Sequence, residues 1–159
     1  MLQKRSALDQ HGCRMSSVPS RWGVTPQQSV VAECARRGKP AVVSGCIQIL
    51  EGRGFDDALL LALAGPHARL VRAGREGGIA GYWPRVWALR GLLYAWDDIA
   101  ISAVIGATND ESWRVREMAA KVCRRHAVEG AFDAVAQLQD DPVARVQAAA
   151  ERAIRMMAR

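Results

Sequence analysis

Asp110-Glu111-Ser112-Trp113-Arg114-Val115-Arg116-Glu117-Met118-Ala119-Ala120 is the stretch on which the reading of this chain turns, because it recurs. Asp141-Pro142-Val143-Ala144-Arg145-Val146-Gln147-Ala148-Ala149-Ala150 stands 31 residues further on, and Arg85-Val86-Trp87-Ala88-Leu89-Arg90-Gly91 lies 29 residues before Arg114. The segments between match as well: Ile101, Val104, Ala107 and Asp110 return as Phe132, Val135, Leu138 and Asp141. Apolar residues in these stretches keep helical spacing, so each unit is a longer helix of about fourteen residues, a turn, and a shorter helix of about ten. Two helices cannot bury their apolar stripe alone. Such units must stack on one another, which produces a solenoid with one continuous core.

Outward from these repeats, the chain from Thr25 onward is a train of helical patterns punctuated by Gly, Pro and Asp, with no strand alternation; the class is all-α. Thr25-Pro26 reads as an N-cap and N1 proline opening a helix to about Arg37. A second helix is expected from Lys39 to Glu51, a third from Asp56 to Ala64, and a weaker one up to Gly74. Gly74-Arg75-Glu76-Gly77-Gly78-Ile79-Ala80-Gly81 is the main loop. The chain thus divides into a polar, aperiodic tail over residues 1–24, expected to be disordered, and a repeat domain over 25–159. That domain has an irregular part (25–74), the Gly-rich loop (74–81) and regular repeats (82–159). Met15, followed by Ser16 and Ser17, is an alternative start.

The repeated stretch resembles the HEAT repeat, whose junction typically reads D-P-x-x-x-V-R-x-x-A. The resemblance is specific over residues 82–159 and loose over 25–65. It implies a short right-handed α-solenoid of four to five stacked antiparallel helix pairs. In such repeats the Asp caps the incoming helix and the Arg after Val joins a polar ladder between units, which assigns Asp110, Asp141 and Arg116 structural roles. Trp87 and Gln147 take the Arg position in the other two copies. The family's usual role implies a non-catalytic scaffold that offers a groove, lined by the shorter helices, to a protein or peptide. Ser102, Asp133 and Gln137 are then contact candidates.

Composition bounds the alternatives. Half of the 159 residues are apolar and 24% charged, the balance of a globular chain. No charge-free stretch exceeds the eleven residues of Pro40 to Leu50 or Ala58 to Ala68, too short to span a bilayer. Residues 1–81 carry eleven basic against six acidic side chains and 82–159 eleven against ten, so the +6 sits mainly in the first half. Cys13, Cys34, Cys46 and Cys123 form no C-x-x-C pair, and reduced thiols in a cytoplasmic protein are expected, with neither metal nor cofactor. His11, His67 and His126 lie far apart, without the His-Glu dipeptides of the HEAT-repeat iron hydroxylases. The paired acids Asp56-Asp57, Asp97-Asp98 and Asp140-Asp141 stand where helices begin or end, as caps do. No residue-by-residue match to HEAT-like bilin lyases or DNA glycosylases emerges, and no enzyme activity is expected.

Two further groups remain as candidates. Trp83, Trp87, Gly91 and Tyr94 share one narrow face of a helix, with Arg90 at its edge. That face either packs on the previous unit, with Gly91 admitting a neighbour, or offers aromatic rings to a peptide or base. Arg69, Arg72 and Arg75 precede the Gly-rich loop and, with Arg85 and Arg90, are the anion-binding candidates of an alternative, nucleic-acid-binding reading. At the C-terminus, Val146, Ala149, Ala153, Ile154 and Met157 continue an apolar face that either covers the core or supports a homo-oligomer.

Overall fold

The computed structural model describes residues 23–159. The expected tail up to residue 22, with the alternative start at Met15, lies outside the described residues, as do His11 and Cys13. Among the described residues there are nine α-helices and no strand. Helix α1 (Pro26–Arg37) opens with a capping box: Gln28 N donates to Thr25 Oγ1 at 3.1 Å, and Thr25 N donates to Gln28 Oε1 at 2.8 Å. Gly38, at φ 91°, separates it from α2 (Lys39–Leu50). Asp56 caps α3 (Asp57–Ala64) by accepting from Leu59 N at 2.8 Å, and α4 (His67–Arg72) follows after one turn. The Gly-rich stretch then runs without regular structure into α5 (Trp83–Leu92).

Beyond it the long helices α7 (Trp113–His126) and α9 (Ala144–Met157) alternate with the short α6 (Ile101–Ala107) and α8 (Phe132–Gln137). A 3-10 turn, Asp98–Ala100, leads into α6, and another, Leu138–Asp140, extends α8. Helices α2, α5, α7 and α9 pack in series, α6 and α8 lie against the long helices that follow them, and α1 and α3 cover the remaining side of α5. One core results, running from Val42, Leu60 and Leu63 through Leu89, Leu92 and Val104 to Val115, Val122, Val135 and Val146, all at most 2% exposed. Helix α9 spends Val146, Ala149, Ala150 and Ala153 on this core, while Ile154 and Met157, at its end, are partly exposed.

The packing corrects the register of the first copy. Arg85 pairs with Asp110 and Arg116 with Asp141, each 25 residues apart. Arg85 therefore corresponds to Arg116 and Gln147, a spacing of 31 residues throughout, and not to Arg114. In this frame Pro84, Val115 and Val146 are equivalent and buried, as are Ala88, Ala119 and Ala150. Trp87 is consequently not the ladder residue of its unit.

Gly91 falls in the place of Val122 and Ala153. A Cβ there would stand 2.6 Å from Leu63 Cδ2 and 3.1 Å from Cys46 Sγ. The glycine is what lets α5 close on α2 and α3, so the packing reading of that face holds at this position. Burial raises the Cys46 and Cys123 thiols to about 12, which leaves both as protonated core residues.

Candidate functional site

The ladder occupies the N-terminal ends of the long helices. Arg116 Nε and Nη2 lie 2.6 and 3.1 Å from the Asp141 carboxylate, while Nη1 donates to the carbonyls of Asp110 (2.8 Å) and Glu111 (3.0 Å). Arg85 repeats the fork on Asp110 at 2.7 and 3.1 Å and reaches the Gly81 carbonyl at 3.3 Å. Gln147, the neutral equivalent, donates to the Asp141 carbonyl at 2.6 Å. The same aspartates fold the turn before each helix, since Ser112 N donates to Asp110 Oδ1 and Val143 N to Asp141 Oδ1. Here a second expectation is corrected. Neither Asp is the N-cap itself; Ser112 and Val143 hold that place, and the carboxylate acts two residues upstream because it must also face the arginine. The Arg116 guanidinium holds the Asp141 carboxyl below the usual carboxylate range.

Beside the ladder, guanidinium groups interleave with rings. Arg114 lies over Trp113 at 4.4 Å, Tyr82 at 5.3 Å and Trp83 at 5.8 Å, and Arg145 lies 5.4 Å from Trp113. Trp83 stacks on Trp87 with centroids 6.0 Å apart. This cluster already holds its cation, so the aromatic face is occupied from within the chain.

The residues singled out from sequence thus separate. Trp87 is 4% exposed and leaves the set of contact residues, and Trp83 is half-buried in the stack. Arg90 reaches inward to donate to the Leu63 carbonyl at 2.5 Å, and burial lowers its pKa. Tyr94 alone of that face is exposed, at 38%. Ser102, Asp133 and Gln137 are exposed on α6 and α8. Arg85 is committed to Asp110 and Arg72 pairs with Asp57 at 2.9 Å, while Arg69 and Arg75 are exposed. Of the five arginines of the nucleic-acid reading, Arg69 and Arg72 line one groove with Leu61, while Arg85 and Arg90 are each held by a partner of their own.

Two surfaces that sequence reasoning missed come forward instead. An open groove of about 590 Å³ lies where α2, the Gly-rich loop and the start of α5 meet, lined by Ile49, Leu50, Phe55, Ile79 and Pro84, with Ile79 47% exposed. At the other end of the long helices, two adjoining clefts share Arg124, Arg125 and Arg152 and add Lys121, Arg155 and Arg159. A signal for the second did exist. In the 31-residue frame Lys121 matches Arg152 and Arg124 matches Arg155, a periodicity hidden by summing charge along the chain.

A family model of HEAT repeats matches residues 82–155. These residues are HEAT repeats. The match spans the units joined by the Arg85–Asp110 and Arg116–Asp141 rungs and begins at Tyr82, where α5 leaves the Gly-rich loop. No curated protein and no solved structure matches the chain. Among the described residues no three His, Cys, Asp or Glu side chains gather where they could hold a metal, and no helix is long and apolar enough to cross a membrane.

Proposed function

We propose that the protein is a non-catalytic interaction scaffold whose HEAT repeats hold a protein partner. HEAT repeats commonly serve this role, and here the polar residues of the repeat junctions are spent on the fold: Arg85, Asp110, Arg116 and Asp141 hold one another. The single observation that carries the reading is the 590 Å³ groove beside the first regular helix. Its lining, with Ile79 exposed, Leu50 and Phe55 partly so and Ile49 and Pro84 at its floor, matches an extended peptide with apolar side chains, flanked by Glu51 for a polar contact. Interfaces of this kind draw most of their affinity from a few apolar anchors set in such a pocket.

The test is selection of peptides from a random displayed library against the full chain. Recovered sequences should share apolar anchors and should lose at least tenfold in affinity to Ile79→Glu, a substitution at an exposed position that leaves the fold intact. Failure to enrich any motif, or binding indifferent to Ile79→Glu, overturns the reading.

A further inference from the structure

A basic edge runs along the C-terminal ends of α7 and α9. From residue 82 onward the chain has eleven basic and ten acidic side chains. Of the eleven, Arg85 and Arg116 form the ladder, Arg90 is turned inward, and Arg114 and Arg145 lie over aromatic rings. The other six, Lys121, Arg124, Arg125, Arg152, Arg155 and Arg159, all line the two adjoining clefts. Of the ten acids only two touch these six: Glu117 pairs with Lys121 at 2.9 Å, and Glu151 stands 3.9 Å from Arg155. Among the described residues no carboxylate reaches Arg124, Arg125, Arg152 or Arg159. A block that sums to near neutrality therefore still gathers its unpaired cations, Arg124, Arg125, Arg152 and Arg159, along one pair of adjoining clefts.

We propose that this edge binds the phosphate backbone of a nucleic acid. Complementing the helix dipole would account for cations in the last turn, Arg124, Arg125 and Arg155, but not for Lys121 and Arg152 one turn earlier. The cations recur with the repeat: Lys121 and Arg124 on α7 correspond to Arg152 and Arg155 on α9, which gives two parallel rows on neighbouring helices about 8–10 Å apart. A regular row of positive sites matches a ligand whose charge recurs regularly, and five of the six are arginines, whose planar fork grips a phosphate through two oxygens. Tyr94, exposed at the margin of the same clefts, offers a ring against which an unpaired base can stack. An acidic protein segment would instead need a deep apolar anchor to fix its register. Here the apolar lining is limited to the exposed Tyr94, the partly exposed Leu93 and Met156 and the buried Ala149.

The experiment titrates the full chain into labelled single-stranded and duplex oligonucleotides and a polyglutamate peptide of equal charge, across roughly 50 to 200 mM salt. Contacts to four to six phosphates predict a log–log salt slope of about −3 to −5. Arg124→Glu/Arg152→Glu should weaken oligonucleotide binding at least tenfold and flatten the slope by about 2. Arg69→Glu/Arg72→Glu, with the same change in net charge, should leave both nearly unchanged. Circular dichroism melts confirm that each variant is folded. Binding of either oligonucleotide with this pattern supports the site, and the preferred form tells whether Tyr94 stacking contributes. No oligonucleotide binding at low salt, equal losses in the two double variants, or polyglutamate bound as well as the oligonucleotides overturns it. Ile79→Glu should not affect this binding, so the outcome is separate from that of the peptide groove.

Discussion

The two parts of the domain solve one packing problem by different means. In residues 82–159 an Arg and an Asp 25 residues apart bind across each junction, the carboxylates 12% and 4% exposed. In residues 23–81 the corresponding link is Arg37 to Asp56, 19 residues apart, at 3.2 Å, with the Asp side chain 54% exposed; Arg37 also bonds Glu33. The irregular part relies instead on close approach. A Cβ on Gly45 would come within 2.2 Å of Leu59 Cδ2, and Gly91 faces Leu63 and Cys46 in the same manner. Regular repeats are held by polar rungs with room for a side chain at the position of Gly91, whereas the seam with the irregular part is held by apolar contact that excludes one.

Asp141→Ala is expected to have the largest effect on this contrast. It leaves Arg116 half-buried without its anion and unties the turn at Val143, and should lower unfolding free energy by about 3 kcal/mol in urea titrations. An effect below 1 kcal/mol would show that the rungs add little. Next comes Gly91→Val, which installs at the seam the residue the next repeat uses at that place. Overpacking against Leu63 should destabilise by about 2 kcal/mol, whereas Val122→Ala, at the equivalent position, removes buried methyl groups without a clash. Equal tolerance of valine at both positions would erase the distinction drawn above. Asp56→Ala, in the irregular part, should cost only about 1 kcal/mol, chiefly the lost cap on Leu59 N, because its ion pair is exposed.

The smallest effect concerns pH. His126, stacked on Trp96 at 4.5 Å and 2.8 Å from the Leu92 carbonyl, is held below its ordinary value, first by burial and further by Arg125, against the opposing pull of the Leu92 carbonyl. Its unfolded form takes up a proton at a higher pH than the folded one, so stability should fall as pH drops below about 6.5 and level off beneath the folded value. Asp141 adds a separate loss at lower pH, once acid titrates its depressed carboxyl. Melting temperature against pH for wild type and His126→Gln should differ only on the first of these limbs.

The helices and their order were legible in the chain, because caps, glycines and helical periodicity are local signals. Thr25-Pro26 and Asp56 act as read. The register of the first copy was not, because Arg85-Val86 imitates Arg114-Val115 in identity while its true counterpart is defined by a partner, Asp110, in the next unit. Position 79, where that unit's own Asp would stand, is Ile, which removed the only local marker. The choice between packing and binding for the aromatic face was open for the same reason: nothing near Trp87 in sequence announces the helices packed against it. The basic edge was invisible to charge counting, since which cations are free depends on which acids the fold has already engaged.

The rung spacing also bears on how the chain reaches its folded state. Each rung closes a loop of 25 residues and joins only consecutive units. Short loops lose less chain entropy on closing, and contacts confined to neighbours favour rapid assembly. Residues 82–155 can thus be joined one junction at a time, while α2 and α3 meet α5 at the bare backbone of Gly91.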